Sequence, residues 1–496
     1  MSRAPALPGA VWAVLGGVAW ALCFGDQGLR LAPWLALAPL FLLLAGRRPA
    51  WWAFMHGMAF WLASLYWIAG TLVTFGRLPA GLAALGLLLL AAFLSLLFWL
   101  PLGLLGRRLW AAGGWRLVAG LPALWIALEW LREYLFSGFP WNLAAYAVIE
   151  VPGALPLASL VGSYGVSFLV VAVNAAAAAF LAGLRGGREG AWKPLAAAAG
   201  AAVVALVLGA AAAPPERSAA GQAVVVVQPN IPNLVAWDAA LVERNYRQVL
   251  AMSEAACRPG ALLILPESAL WPRSYETDPR LVADLDRLAR RGCRILFNSL
   301  SGRASPYRNS VLLVGPDGVE GRYDKRHLVP FGEYVPFAGV LPFVDKLARM
   351  AGDFAAGTDA GLIGLGEHEL GAAICYEVVY PASVAAQVRD GATVLVTVVN
   401  DAWYGDTTAP WQHLRAARFR AAESDRVLLR AAITGVSAVI APDGSVEQLL
   451  GVGRRGVLAT RVEPGRRLTP YSRAPWLVPA LGALLALAAC ARFPRR

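Results

Sequence analysis

The sequence predicts a polytopic α-helical membrane protein that carries an α/β domain outside the bilayer, and three observations support this fold class. Of the 496 residues, 58% are hydrophobic and 15% are charged, and the mean hydropathy is +0.55. These values lie outside the usual range of soluble proteins. The apolar residues are concentrated in 1–213 and again near 475–491. The roughly 260 residues between them have an ordinary polar balance and are enough for one well-buried domain.

Eight apolar stretches are long enough, or nearly so, to cross a bilayer, which takes about 20 helical residues. They lie near 8–25, 29–45, 52–74, 79–105, 117–136, 157–184, 194–213 and 475–491. This spacing predicts a membrane domain of seven helices at 1–213, an α/β domain at 214–472, and a C-terminal membrane helix with a cytoplasmic tail at 473–496.

The basic residues predict the orientation of the chain. Twelve lie on one side of the predicted spans, namely Arg3, Arg47, Arg48, Arg107, Arg108, Arg116, Arg185, Arg188, Lys193, Arg492, Arg495 and Arg496. The opposite short loops hold three, Arg30, Arg77 and Arg132. Positively charged loops stay in the cytoplasm. We therefore expect the α/β domain on the opposite side of the membrane, which in a bacterium is the periplasmic face of the inner membrane, and the net charge of +12 does not indicate a nucleic-acid partner.

The α/β domain is predicted from short, continuously apolar runs that suit strands buried on both faces. The runs are Ala223–Gln228, Leu262–Leu265, Ile295–Asn298, Val311–Val314, Ala372–Cys375, Val394–Asn400, Ala438–Ile440 and Val457–Val462. Helical patterns cover 238–257, 279–291, 381–389 and 411–431. Pro-Asp-Gly turns at 316–318 and 442–444 predict hairpins. Together these elements predict a sandwich of mixed sheets covered by helices.

Reactive side chains follow several of these runs. Glu267 follows Leu262-Leu-Ile-Leu-Pro, and Cys375 follows Gly371-Ala-Ala-Ile. Catalytic groups of open α/β folds gather at the carboxyl ends of strands. With Lys325, which follows Tyr323-Asp, these residues supply a carboxylate, a thiol and an amine, the parts of a cysteine-based acyl-transfer site.

Each of these residues also has a plainer explanation. Cys375 alone is more often a core thiol, and Glu267 alone is more often a solvated acid at a strand end. Lys325 is one of only three lysines among 44 basic residues. A buried amine differs from guanidinium because its pKa shifts and its charge is compact. The combination, with the polar Tyr376 and Glu377 directly after the thiol, favours catalysis.

The remaining cysteines leave two alternatives. Cys257 and Cys293 form either a disulfide, which an oxidising compartment permits, or two buried free thiols. The sequence has no CxxC, no HExxH and only four histidines, so we expect no metal site and no cofactor. No phosphate-binding loop of the Walker type is present either.

Three blocks resemble the nitrilase superfamily and, within it, the apolipoprotein N-acyltransferase family. They are Leu265-Pro-Glu267, Lys325-Arg-His-Leu-Val-Pro-Phe-Gly-Glu333-Tyr-Val-Pro336 and Ile374-Cys-Tyr-Glu377. The resemblance covers nearly the whole chain. Further matching segments are Gln228-Pro-Asn-Ile-Pro232 with Trp237, Gly138-Phe-Pro-Trp141, Gly162-Ser-Tyr-Gly165, Asn400-Asp-Ala-Trp403-Tyr-Gly405 and Thr469-Pro-Tyr-Ser-Arg473.

The resemblance implies a four-layer α-β-β-α nitrilase fold with a Glu267–Lys325–Cys375 triad. It implies transfer of an acyl chain from a membrane phospholipid, through a cysteine thioester, to the α-amino group of the N-terminal diacylglyceryl-cysteine of an apolipoprotein. The expected partners are thus the phospholipid donor, the diacylated apolipoprotein acceptor and the lipid bilayer. We expect the protein to act as a monomer.

The resemblance also assigns supporting roles. Glu333 would be an acid near the triad, and Tyr376 and Glu377 would be required beside the nucleophile. One departure from the family pattern lies at Ile433, where an asparagine is expected and a structural hydrogen bond would be altered.

Aromatic and apolar residues predict the lipid path. Trp237, Trp403 and Tyr404 are expected to line the acyl and headgroup path, although tryptophan also anchors proteins at membrane interfaces. The apolar segment 335–344 is either a loop that gates lipid entry or a buried loop. The regions of Trp141 and Tyr164 either cradle the α/β domain or pack membrane helices together.

Two other functions compete with acyl transfer. A membrane-tethered amidase or nitrile hydrolase would use water as the second nucleophile, but it leaves the apolar loop and the eight spans unexplained. A transporter with an inactive domain would place ionisable residues along an intramembrane path. Only Glu129 lies well inside a predicted span, so transport is disfavoured.

Overall fold

The computed structural model describes residues 9–25, 30–214, 221–232, 238–302, 305–335, 354–358 and 361–491. The chain separates into two compact units. The helical unit consists of 1–213 and 474–496, and the α/β unit consists of 214–473. The segment 474–496 thus belongs to the same unit as 1–213.

Each of the eight apolar stretches contains helix. In chain order the α-helices of the helical unit are α1 (Gly9–Leu22), α2 (Ala38–Leu44), α3 (Pro49–Ser64), α4 (Trp67–Thr74), α5 (Ala80–Leu94), α6 (Leu100–Ala112), α7 (Leu121–Tyr134), α8 (Ala154–Arg185), α9 (Lys193–Ala211) and, at the end of the chain, α15 (Leu477–Ala491). A π-helical segment, Ser95–Trp99, joins α5 to α6.

Fewer helices than eight meet the length and apolarity needed for a span. In the described part of the chain these are Ala80–Ala112, Ala154–Arg185 and Lys193–Ala211, and α3 with α4 makes a fourth if the pair, bent by 53°, counts as one span. The helices Gly9–Leu22, Ala32–Leu44 and Leu477–Ala491 are apolar but shorter. The eight-span count therefore stays a prediction.

Helix α7 carries more buried charge than the sequence suggested. Glu129, Arg132 and Glu133 are all buried, and the Arg132 guanidinium lies 5.1 Å from the centroid of the Trp61 ring. Glu129 Oε1 accepts hydrogen bonds from Trp125 Nε1 at 2.9 Å and from the Ala144 backbone at 2.8 Å. The expectation that only Glu129 lies well inside a predicted span stays a prediction.

The Tyr164 and Trp141 side chains are packed inside the helical unit. Tyr164 is 2% exposed and donates a 2.6 Å hydrogen bond to Glu133 Oε2. Trp141 is equally buried and lies 5.7 Å from the Trp67 ring. These contacts favour the second alternative for both regions, helix packing.

The α/β unit contains two six-stranded sheets. The strands are β1 (Gln222–Gln228), β2 (Leu262–Ile264), β3 (Arg294–Ser301), β4 (Arg308–Gly315), β5 (Gly318–Asp324), β6 (Leu362–Leu365), β7 (His368–Ile374), β8 (Val394–Val399), β9 (Leu428–Ala432), β10 (Ser437–Ile440), β11 (Val446–Leu450) and β12 (Gly456–Val462). The first sheet has the order β12-β1-β2-β3-β4-β5, and the second has the order β11-β10-β9-β8-β7-β6. Its helices are α10 (Ala239–Ala256), α11 (Pro279–Ala289), α12 (Pro381–Arg389), α13 (Ala409–Ser424) and α14 (Pro470–Arg473).

Two apolar clusters hold the layers together. One lies between the sheets and joins Val226 and Leu296 to Ile374 and Val396. The other lies on the outer face of the first sheet, against helices α10 and α11. Helices α12 and α13 pack on the second sheet. The α-β-β-α sandwich predicted from the sequence is confirmed.

The parallel strand pairs β1–β2, β2–β3, β7–β8 and β8–β9 position the site. Parallel neighbours end at the same edge of a sheet, so the residues that follow β2, β7 and β8 are brought to one end of the sandwich. The two Pro-Asp-Gly turns form the predicted antiparallel hairpins, β4–β5 and β10–β11.

Two details of the prediction are wrong or incomplete. The helical pattern at 411–431 ends at Ser424, because Leu428–Ala432 is the central strand β9. The sequence analysis missed β6. It located β5 and β11 only as the second strands of the predicted hairpins, because these partly exposed strands lack a continuous apolar run.

The alternatives for two cysteines are decided by the structure. Cys257 and Cys293 form a disulfide that joins the end of α10 to the start of β3.

Ile433, the departure from the family pattern, is a buried residue of the α/β unit. It is 2% exposed and lies in the apolar cluster beneath α10 and α11, while its backbone N–H donates to Val399 O at 3.1 Å. The Ile433 side chain therefore makes apolar contacts at the position where an asparagine was expected.

Candidate active site

Glu267 is a buried carboxylate at the carboxyl end of β2. Its Oε1 accepts a 3.0 Å hydrogen bond from Asn309 Nδ2, and its Oε2 accepts one of 3.0 Å from the Asn400 backbone N–H. Burial raises the pKa of Glu267 above its ordinary value, although the nearby Lys325 ammonium opposes the shift. A carboxylate with a raised pKa is suited to take up and return a proton near neutral pH.

Lys325 follows β5 and is 1% exposed. Its Nζ lies 2.8 Å from Glu333 Oε1 and 3.9 Å from Glu267 Oε1. Burial alone would lower the pKa of Lys325, but the charges of Glu333, Glu267 and Cys375 outweigh it, and the pKa is raised. Lys325 is therefore a fixed cation and not a proton acceptor.

Cys375 stands directly after β7, with 7% of its surface exposed and a φ of +53°. Burial, and then the charge of Glu267, raise the pKa of its thiol well above the ordinary value, while Lys325 opposes them. The resting thiol is therefore protonated and needs a base before it can attack. The structure thus brings Glu267, Lys325 and Cys375 into one electrostatically coupled group.

Glu333 and Asn309 complete the surroundings of the ammonium group. Asn309 Nδ2 donates to both Glu267 Oε1 and Glu333 Oε1, at 3.0 Å each. Glu333 Oε2 accepts a 2.8 Å bond from the Val329 backbone N–H. One amide therefore links the predicted base to the supporting acid.

Glu377 ties the segment after Lys325 to the turn that carries the thiol. Its Oε1 accepts from Tyr323 Oη at 2.9 Å and from the backbone N–H groups of Arg326 and His327 at 2.7 and 3.0 Å. Its Oε2 accepts from the Ile374 N–H at 2.8 Å. The contacts of Glu377 are thus those of a structural brace.

The aromatic residues named from the sequence differ in position. Tyr376 is buried beside Tyr380, with ring centroids 5.3 Å apart. Tyr404 is half-buried, and burial and then the charge of Cys375 raise its pKa well above the ordinary value. Trp403 is 43% exposed. Trp237 and residues 336–344 of the predicted gating loop lie outside the described residues.

Sequence reasoning missed several residues of this site. Asn298 on β3 donates to Asn309 Oδ1 at 2.6 Å and thereby orients the amide that reaches Glu267. His413 and Arg430 lie behind Cys375. The signal available in the sequence was a polar side chain inside an otherwise buried element, as for Arg430 in β9.

No group of three His, Cys, Asp or Glu side chains in the described ranges is arranged to hold a metal ion. The site consists of a thiol, carboxylates, amides and one ammonium group. The expectation that no cofactor is needed stays a prediction.

Comparisons with known proteins cover both units. The family model described as "Apolipoprotein N-acyltransferase N-terminal domain" matches residues 16–176, and the model described as "Carbon-nitrogen hydrolase" matches residues 223–467. An apolipoprotein N-acyltransferase of Geobacter metallireducens is 34% identical over 93% of this chain and 90% of its own length. One from Ralstonia nicotianae is 36% identical over 97% of this chain and 92% of its own length.

Solved structures match about half of the chain. A crystal structure of an amidase from Nesterenkonia sp. is 21% identical, with a TM-score of 0.39, and the match covers 50% of this chain and 93% of the amidase. A nitrilase-superfamily protein of Saccharomyces cerevisiae is 18% identical, with a TM-score of 0.39 over 53% of this chain and 97% of the yeast protein.

The relatives match both units over nearly their full lengths, and the two family models together account for most of the chain. The chain therefore belongs to the apolipoprotein N-acyltransferase family.

Proposed function

We propose that this protein transfers an acyl chain from a membrane phospholipid to the α-amino group of the N-terminal diacylglyceryl-cysteine of an apolipoprotein. The observation that carries the proposal is a buried thiol of raised pKa beside a buried carboxylate of raised pKa and a buried ammonium group. Membership of the family supports lipoprotein N-acylation, and the site supports a thioester on Cys375 as the intermediate.

In the first half-reaction Glu267 takes the thiol proton, and Cys375 Sγ attacks the ester carbonyl carbon of the phospholipid. The new C–S bond gives a tetrahedral oxyanion, which Lys325 and the Tyr376 backbone N–H stabilise. The ester C–O bond then breaks, and Glu267 returns the proton to the leaving alkoxide. A lysophospholipid departs and the acyl group remains on sulfur.

In the second half-reaction the amine of the apolipoprotein attacks the thioester carbonyl carbon. Glu267 accepts a proton from the amine, the C–S bond breaks, and the sulfur regains a proton as the amide is released. The acyl group is thus transferred with no change in oxidation state and no cofactor. The scheme has the form of a ping-pong reaction, in which each substrate meets the enzyme separately.

A membrane location suits both substrates. Moving an acyl chain from the bilayer into water costs about 0.8 kcal/mol per CH₂ group, so an enzyme that meets its lipids at the bilayer avoids that cost. The long apolar helices and the family support a membrane protein. The distribution of basic residues supports eight spans in the bacterial inner membrane with the α/β unit in the periplasm. We further propose that the protein acts as a monomer.

Mass spectrometry tests the intermediate. Full-length protein incubated with phospholipid vesicles and no acceptor is expected to gain the mass of one acyl group on Cys375. Cys375→Ala should gain none. Cys490→Ala is the matched control, because Cys490 is a free cysteine in α15, and it should acylate as the unmodified protein does. A wild-type protein without an adduct on Cys375, but with full transferase activity, would exclude the thioester mechanism.

A further inference from the structure

The peptide carbonyl of Cys375 is held by a buried histidine that the triad does not include. His413 lies on α13 with no exposed surface, and its Nε2 is 3.1 Å from Cys375 O. A carbonyl oxygen can only accept a hydrogen bond, so Nε2 must carry the proton. His413 Nδ1 lies 3.2 Å from Arg430 Nη2, which can only donate, and 3.4 Å from Asp401 Oδ1, and the shorter contact makes Nδ1 the acceptor.

A buried ion pair fixes the histidine in turn. Arg430 Nη2 lies 2.7 Å from Asp401 Oδ2, and Arg430 Nε donates to Val436 O at 2.9 Å. Burial and the positive charge of Arg430 lower the pKa of His413, so its ring stays neutral. The orientation of the ring is therefore set by the Arg430–Asp401 ion pair on one side and by the Cys375 carbonyl on the other.

The segment directly after β8, which provides Asp401, also contacts Glu267, the proposed base. Asp401 follows β8, and the preceding residue, Asn400, donates its backbone N–H to Glu267. The dipeptide Asn400–Asp401 thus has two contacts with the site. Asn400 donates to the Glu267 carboxylate, and Asp401 acts through Arg430 and His413 on the turn that carries Cys375.

The direction of the Cys375 carbonyl matters because of peptide geometry. Cys375 has a left-handed backbone, with a φ of +53°, which an L-residue keeps only where its surroundings hold it. The Cys375 C=O and the Tyr376 N–H belong to one planar trans peptide and point in opposite directions. A hydrogen bond that fixes the carbonyl therefore also aims the Tyr376 N–H.

We propose that His413 is a positioning residue, whose hydrogen bond to Cys375 O aims the Tyr376 N–H at the oxyanion formed during acyl transfer. Arg430 and Asp401 hold the histidine in the tautomer that this bond requires. The inference rests on the proposed thioester mechanism and adds to it a group that touches neither substrate nor the reacting atoms.

Two substitutions of His413 distinguish a role in positioning the Tyr376 N–H from a role in stabilising the fold. His413→Leu removes the donor, and His413→Gln keeps a side-chain N–H of similar reach. The full-length protein is incubated with vesicles of phosphatidylethanolamine and phosphatidylglycerol, and the rate of acyl-Cys375 formation is followed by mass spectrometry. Alkylation of Cys375 by iodoacetamide is measured in parallel, because it forms no oxyanion and does not need the Tyr376 N–H.

We expect His413→Leu to lower the rate of acyl-Cys375 formation by about 100-fold, as for the loss of one oxyanion donor. The lipid concentration at half-maximal rate and the alkylation rate should be unchanged, and His413→Gln should recover most of the acylation rate. His368→Gln is the matched control. His368 is another buried histidine, at the opposite end of β7, and its substitution should leave both rates unchanged.

The proposal is overturned if His413→Leu acylates at the wild-type rate, if His413→Gln is as slow as His413→Leu, or if alkylation falls in parallel with acylation. Where His413→Leu does not fold, His413→Asn replaces it under the same criteria, because its shorter amide does not reach the carbonyl. A wild-type protein that forms no acyl-Cys375 would overturn the proposed function itself, an outcome distinct from equal rates in wild type and variant.

Discussion

Within the described residues of the α/β unit, Lys325 supplies the only ammonium group, and two carboxylates surround it. Its Nζ contacts Glu333 at 2.8 Å and lies 3.9 Å from Glu267. Such a site suits a compact charge that can turn toward one oxygen, whereas guanidinium is planar and larger. The scarcity of lysine in the sequence pointed to this residue, but its carboxylate partners came only from the fold.

Substitution of Lys325 by arginine should show whether the site needs only a positive charge or also the compact shape of the ammonium group. We expect Lys325→Arg to lower the rate of acyl-Cys375 formation by at least about 100-fold, because the charge remains but its position changes. Single-turnover mass spectrometry with phospholipid vesicles measures this rate. Lys193→Arg is the control, since Lys193 is exposed at the start of α9, and it should have no effect. If Lys325→Arg forms acyl-Cys375 at the wild-type rate, the exact position of the positive charge is not important for acylation.

The raised pKa of Glu267 predicts the acid limb of the pH profile. Below that pKa Glu267 is protonated and cannot accept the thiol proton, so acylation should rise with pH through a value above the ordinary glutamate pKa of about 4.3. Glu267→Gln should be slow at every pH. Glu447→Gln on β11 removes another carboxyl whose pKa burial raises, and it should leave the profile unchanged. A limb centred at the ordinary glutamate value would contradict the assignment.

The elements explain which parts of the site were visible in the sequence. The runs before Glu267 and Cys375 were recognisable because buried parallel strands are continuously apolar. The contacts of Asn309, His413 and Arg430 were not recognisable, because they join β4, α13 and β9 to residues far away in the chain. Such pairings depend on strand order, which the local pattern does not contain. The prediction of helix up to residue 431 failed for the same reason.

The hydrogen bonds of Glu377 join several elements of the α/β unit, so we expect its substitution to lower the stability of the protein. Its carboxylate accepts four hydrogen bonds that join β5, the following segment and β7. In Glu377→Gln the amide oxygen can replace Oε1, but an NH₂ group then faces the Ile374 N–H, and this buried donor without an acceptor costs about 1–3 kcal/mol. We expect the Tm of the full-length protein to fall by about 5–10 °C in thermal unfolding.

Tyr323→Phe provides the graded comparison. It removes one of the four donors and leaves the Glu377 carboxylate charged, so the Tm should fall by only about 2–4 °C. Equal losses in Tyr323→Phe and Glu377→Gln would mean that the backbone donors contribute little to the brace.

At the scale of the whole molecule, the charge distribution predicts a single orientation in the membrane. In spheroplasts a membrane-impermeant maleimide should label Ser445→Cys, which is exposed in the β10–β11 turn, and should not label Arg188→Cys, which is exposed after α8. A Cys490→Ser background removes the partly exposed native thiol. Labelling of Arg188→Cys alone would reverse the predicted topology.

The two ends of the α/β unit are neighbours in one sheet, and this affects its synthesis. Strands β1 and β12 pair antiparallel with Gln222 opposite Val462, residues that are 240 positions apart. At about 5–20 residues per second, a ribosome takes roughly 12–48 s to add the strand that covers this side of β1. During that interval the first strand presents unpaired backbone groups, so the nascent chain is at its most vulnerable to mispairing before translation of the unit ends.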